Sequence, residues 1–217
     1  MSFFGRISLV VRTFFRVTWS DFQLVHGIWK IKKIPGPFVS IFGGSRFAID
    51  DFYAKQAHLL AQKFVASHIN IMTGGGPGIM QAASCGAIHG KKSTSIGIGV
   101  TELKEGKNPC LKEYFEVNYF YTRKWLLTHY SIGFVVFPGG FGTLDELAEV
   151  ITLIQTNELP MVPIVLIGTQ YWQYFMRWLT EEAMAHGVVT EAHLKLFTIT
   201  DDLDKAFCLI EQTCDKL

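Results

Sequence analysis

Cysteine is scarce in this chain, and its four cysteines, Cys85, Cys110, Cys208 and Cys214, form no CxxC pair. The seven histidines are scattered outside any HxH or HExxH arrangement, so zinc-type ligand spacing is missing and no metal site is expected. Such cysteines read as reduced thiols of a cytoplasmic protein. A bulk charge of one sign is missing too. The formal net charge is +1, and no electrostatic field argues for a nucleic-acid partner. No apolar run reaches the ~18 residues of a membrane span. Arg12 and Arg16 break any signal-peptide core. Acid is nearly absent from residues 1–34, where Arg6, Arg12, Arg16, Lys30, Lys32 and Lys33 face only Asp21. That segment, rich in Phe and Val, is expected to form one or two helices packed on the domain or on a partner subunit. The alternative is a basic amphipathic anchor touching a membrane surface.

What is present is apolar mass and glycine. Half of the chain, 49%, is hydrophobic, and 20 residues are glycine. That supports one sizeable core over residues 35–217, after the extension 1–34. Ile34-Pro35-Gly36-Pro37 ends the extension. Strands are expected at 38–42, 69–73, 94–100, 115–118, 132–137, 162–167 and 194–199. Helices are expected from Asp50 or Asp51 to Ser67, and at 122–130, 143–157, 171–186 and 201–214. Phe52, Leu59, Leu60 and Phe64 are assigned to the core side of the first of these. Residues 101–114 read as a polar loop holding Glu102, Glu105 and Asn108. Strand and helix alternate throughout, which predicts a three-layer α/β sandwich with a mostly parallel sheet.

Two strand–turn–helix units share one design. One has the turn Gly74-Gly75-Gly76-Pro77-Gly78, the other Pro138-Gly139-Gly140-Phe141-Gly142-Thr143. Loops of this kind at the carboxyl ends of parallel strands put backbone amides and helix N-termini around one crevice, which suits a phosphate. After the first strand, Gly43-Gly44 allows close backbone approach, and Ser45 and Arg46 can donate to phosphate oxygens. No GxGxxG with a ribose-binding acid follows a strand, which argues against a dinucleotide fingerprint.

Glu146 has two readings. Thr143-Leu144-Asp145-Glu146 fits a capping box with Thr143 at the N-cap and Glu146 three residues on. Glu146 also faces the crevice, where a carboxylate orients water or stabilises an oxocarbenium-like ribose. Arg123 and Lys124, expected in a first helical turn, oppose the helix dipole unless an anion or a carboxylate such as Glu146 offsets them. Met80, Phe120, Tyr121 and Trp125 are candidates to line a base pocket. The broad apolar surface of the 143–157 helix, from Leu144 through Val150 and Leu153 to Ile154, predicts cover by a second subunit.

At these residues the chain resembles the LOG (Lonely Guy) family of phosphoribohydrolases, once described as lysine decarboxylases. Pro138 to Glu146 matches its PGGxGTxxE signature, Arg123-Lys124 its Arg-Lys pair, and Gly74 to Met80 and Gly43 to Arg46 its other loops. The resemblance runs from about Phe38 to Cys214. It implies a Rossmann-like fold and hydrolysis of the N-glycosidic bond of a nucleoside 5′-monophosphate, AMP or a cytokinin nucleotide, to free base and ribose 5-phosphate. It implies Arg123 and Glu146 as the catalytic pair. Gly139, Gly140, Gly142 and Thr143 would bind phosphate with Ser45, Arg46, Gly74, Gly75, Gly76 and Gly78, while Met80 and Lys124 touch the substrate elsewhere. It implies no cofactor and a homo-oligomer, at least a dimer. Decarboxylation would need pyridoxal phosphate on a lysine, and Lys124 has no evident acidic partner for the pyridine nitrogen. The competing reading is a nucleotide-binding or cofactor-carrier protein without turnover.

Overall fold

The computed structural model describes residues 3–90, 93–103 and 108–214. It begins with a single long helix, α1 (Phe3–Lys32). Then follow β1 (Phe38–Phe42), α2 (Phe52–Ala66), β2 (Asn70–Thr73), α3 (Ile79–Gly86), β3 (Ser95–Val100) and β4 (Glu113–Val117). The second half holds α4 (Phe120–His129), β5 (Ser131–Val136), α5 (Phe141–Gln155), β6 (Ile164–Ile167), α6 (Thr169–Arg177), α7 (Glu191–Leu194), β7 (Phe197–Thr200) and α8 (Leu203–Cys214).

The seven strands form one sheet in the order β4-β3-β2-β1-β5-β6-β7, with every neighbouring pair parallel. Alternation along β1 shows how one strand serves both layers. Phe38 and Phe42 join the cluster under α4, α5 and α6. Val39 and Ile41 join the opposite cluster with α2, α3 and α8. Ser40, fully buried, keeps its hydroxyl satisfied by donating to the Leu127 carbonyl at 2.8 Å. The result is the expected Rossmann-like α/β sandwich.

The chain leaves β1 in one direction across the sheet and returns to its other side at β5. The β1/β5 junction is therefore the switch point, where the loops after the two strands diverge and open a crevice at their carboxyl ends. Backbone hydrogen bonds fasten the junction: Phe137 N–H to Phe42 O and Gly44 N–H to Pro138 O, each at 2.9 Å.

Several expectations are corrected. Cys85 and Cys110 are joined in a disulfide with their Cα atoms 4.8 Å apart, while Cys208 and Cys214 remain thiols. The bridge ties the end of α3 to the loop before β4. Closing a 25-residue separation restricts the unfolded chain, a contribution of about 3 kcal/mol. Phe52 and Leu59 are exposed on α2, leaving Leu60 and Phe64 as its core anchors. The 171–186 helix is α6 followed by a π-helical turn, Trp178–Ala183. Leu194 closes the short α7 and is not in the last strand. In the 101–114 loop, Thr101–Leu103 forms a single 3-10 turn, and Glu105 lies outside the described residues. The apolar breadth of α5 has an internal cause. Leu147, Val150 and Ile154 are buried by this chain itself, and Leu153 packs partly against the same cluster.

Candidate active site

The crevice at the switch point is a cleft of about 740 Å³. The β1 loop supplies Gly43 to Phe47, the β5–α5 turn supplies Gly139 to Thr143, and α4 and α5 supply Arg123, Lys124, Asp145 and Glu146. Met80, Leu103, Phe120 and Tyr171 complete the wall.

Helix α5 begins at Phe141 with Gly140 as its N-cap and no side-chain cap. This overturns the capping-box reading. Thr143 is already the third residue of the helix, and Glu146 is the sixth, more than a turn inside. Its carboxylate cannot serve the N-cap amide. It instead accepts a hydrogen bond from Arg123 Nη2 at 2.9 Å. The uncapped first amides of α5 therefore open on the cleft. A side chain at Gly140 or Gly142 would meet nothing within 4 Å, so neither glycine answers a packing demand of the chain. Glycine at Gly142 costs about 1 kcal/mol relative to alanine inside a helix. The benefit it returns is open space beside those amides.

Arg123 and Lys124 are the fourth and fifth residues of α4, past its first turn, because the helix starts at Phe120. Carboxylates do offset them. Arg123 pairs with Glu146, and their side chains are 9% and 12% exposed. Lys124 reaches Asp145 at 3.2 Å and Glu149 at 2.9 Å. Asp145 is thus an ion-pair partner on the cleft wall. Burial lowers the Lys124 pKa, but hydrogen bonds to Glu149 and Asp145 outweigh it and hold the ammonium above its usual range. Burial pushes the Glu146 carboxyl up from its ordinary value, with the Arg123 charge opposing and not cancelling that rise. Arg123 Nε is buried with no acceptor among the described residues. A buried guanidinium N–H without an acceptor is costly unless a ligand oxygen supplies one.

The first glycine loop is placed differently from the second. Gly74, Gly75, Gly76 and Gly78 are absent from the cleft wall, and Gly74 and Gly78 lie behind residues that form it. A Cβ on Gly74 would strike the Arg123 guanidinium and Met80 Sδ, so its bareness seats the arginine. Gly78, at φ +67°, presses on the Gly44 carbonyl and on Ser45. Ile79 N–H donates to that same Gly44 carbonyl at 3.1 Å. This loop thus shapes the β1 loop, which presents Ser45 and the exposed Arg46. Of the proposed base-pocket residues, Met80 and Phe120 line the cleft, while Tyr121 and Trp125 do not. Sequence reading missed Phe47, Leu103, Phe141 and Tyr171. Tyr171 was detectable only by its place just after β6, a strand next to the switch point; its hydroxyl donates to Gly139 O at 2.6 Å and braces the second loop.

An all-parallel sheet whose switch point carries the Gly43-Gly44 loop, the glycine turn into α5 and a buried Arg–Glu pair defines a nucleotide-binding α/β protein of Rossmann-like fold. Residues 80–210 match the family model described as "Possible lysine decarboxylase". A probable cytokinin riboside 5′-monophosphate phosphoribohydrolase of Oryza sativa subsp. japonica is 29% identical over 166 residues, 76% of this chain and 73% of that protein. Another, from Arabidopsis thaliana, is 34% identical over 154 residues, 70% of this chain and 76% of that one. The chain belongs to the LOG family of nucleoside 5′-monophosphate phosphoribohydrolases. Among solved structures, the molybdenum cofactor binding protein of Rippkaea orientalis superimposes with a TM-score of 0.60 at 19% identity, covering 82% of this chain and 98% of that one. At that identity the likeness is one of fold.

Proposed function

We propose that the protein hydrolyses the N-glycosidic bond of a purine nucleoside 5′-monophosphate, giving free base and ribose 5-phosphate. The observation that carries this is the buried Arg123–Glu146 pair set in the cleft between the β1 loop and the N-terminus of α5. The 5′-phosphate sits against the amides of Gly140, Gly142 and Thr143, with Ser45 and Arg46 donating from the facing loop. Glu146 then faces the anomeric carbon. Its charge stabilises the positive ribose of a dissociative transition state and accepts a proton from the attacking water. Water adds to C1′ as the C1′–N bond breaks, and the bonding pair leaves with the base, which takes up a proton. Arg123 holds the carboxylate ionised and in place, and its unpaired Nε is free to meet a substrate oxygen. Met80 and Phe120 offer apolar surface to the base.

The test is chromatography of released base after incubation with a panel of nucleoside monophosphates. Adenine from AMP, or an N6-substituted adenine from its nucleotide, is the expected product. Binding without any base released would favour a nucleotide carrier.

The functional unit is proposed to be at least a dimer, acting in the cytoplasm. Phe141, 92% exposed at the mouth of the cleft beside the partly exposed Leu144, is the surface that a second subunit would cover. Light scattering at micromolar concentration is expected to give twice the mass of one chain. A monomer mass would refute it.

A further inference from the structure

Helix α1 has two apolar faces. One is closed against the fold through Leu24, Gly27 and Ile31, with Leu126 and Phe115 against Gly27. Ser20 on that face shares a buried 2.7 Å hydrogen bond with Thr122. Gln23 and Arg16 reach Asn118 and Tyr119 at its margin. The other face lies on the opposite side of the same helix. Val11, Phe15, Phe22, Val25 and Trp29 recur there at helical spacing, with Phe14 beside them, and each is between 47% and 67% exposed. Trp19 stacks on Phe22 at 5.6 Å between centroids and widens the stripe. Thr18 interrupts the stripe, its hydroxyl turned back to the Phe14 and Phe15 carbonyls, and an apolar band of this kind on a surface helix marks an interaction site.

We infer that this face seats the protein on an anionic lipid surface, with α1 lying in the interface plane. Charge decides the occupant. Arg12 flanks the stripe on one side and Lys32 on the other, Lys30 and Lys33 follow at its end, and the sole acid of the helix is Asp21. Two copies paired along this face would set like charges against like, with almost no acid to complement them. An anionic headgroup layer complements every one of these cations. The stripe is built of Phe and Trp, the side chains suited to the headgroup boundary. Lys33 Nζ lies 3.2 Å from the centre of the Trp29 ring, so its charge sits at the level of that boundary. No described helix is long and apolar enough to cross a membrane, and the inference needs none to do so.

The test is cosedimentation of the full chain with vesicles of phosphatidylcholine alone, or mixed with phosphatidylglycerol. Binding to the mixed vesicles is expected to be at least ~10-fold tighter and to weaken as salt is raised. Combined Phe15→Ser, Phe22→Ser and Trp29→Ser should weaken it by at least ~10-fold. The melting temperature and turnover of soluble substrate should stay unchanged, since these side chains touch no part of the cleft. Arg12→Glu with Lys32→Glu, which leaves the apolar stripe whole, should abolish the preference for anionic vesicles. Three results would overturn the inference: no binding to either vesicle, equal binding to both, or a serine variant that binds as well as the parent. A parent that ignores vesicles but is larger by light scattering than the serine variant would assign the face to a second copy.

Discussion

Glu146→Gln is expected to lower kcat by about 10² to 10⁴, roughly 3 to 5 kcal/mol of barrier, in a protein that still folds. Glutamine keeps an oxygen for Arg123 Nη2, so the 2.9 Å contact survives as a hydrogen bond from the guanidinium to an uncharged acceptor. What it loses is the negative charge facing the ribose and the ability to take a proton. Two effects on stability oppose each other. Arg123 loses its counter-charge, while the burial that raises the Glu146 pKa no longer acts on any carboxylate. The melt should therefore shift by only a few degrees, about 1 to 2 kcal/mol for a chain of this size. The parent enzyme carries its own control in its pH profile. Because burial raises the pKa of Glu146 above its ordinary 4.5, its protonated, inactive form persists to higher pH than an exposed carboxylate would allow. The acid limb of kcat/KM should fall above that value. The linked stability has the same origin: it is fully present below the ordinary pKa and is lost as pH rises through the raised one. In Glu146→Gln whatever residual activity remains should lack that limb. A folded variant keeping more than about a tenth of parent kcat would reduce Glu146 to a partner of Arg123 and remove the mechanism.

Adenosine should react at least ~10²-fold more slowly than AMP. The only difference between them is the 5′-phosphate, and the cleft offers it the open amides at the start of α5 together with Ser45 and Arg46. Charge-assisted hydrogen bonds contribute about 1.5 to 3 kcal/mol each, so two of them suffice for that ratio. Phosphate binding also orients the ribose against Glu146, so the loss should reach kcat and not KM alone. Comparable kcat/KM for the two compounds would dismiss the phosphate anchor and leave the bare glycines at Gly140 and Gly142 without a purpose.

Much of this was legible in the residue order. Apolar runs such as Ile132 to Phe137 can only be central strands buried on both faces, and their alternation with helices implies a parallel sheet. Glycines after β1 and β5, Gly43-Gly44 and Gly139-Gly140, mark the switch point, because local backbone demands are written locally. The pairing of Arg123 with Glu146, anticipated as one way to offset a misplaced cation, followed from the same reasoning. Capping was misread because Thr-Leu-Asp-Glu looks alike whether it opens a helix or lies just inside one. The true start at Phe141 depends on how the turn leaves β5.

By itself, then, the sequence determined the α/β class, the strand–turn–helix units and the identity of the charged residues near the crevice. These rest on periodicity and on short-range backbone chemistry. Tertiary structure alone decided which of them meet. It brought Cys85 to Cys110, set Gly74 against the Arg123 guanidinium, and gave Lys124 to Asp145 and Glu149. It also split the apolar residues of α1 from Val11 onward into a face closed by the fold and a face that the fold leaves uncovered. Composition cannot make that division, because which side of a helix is buried depends on what the rest of the chain packs against it.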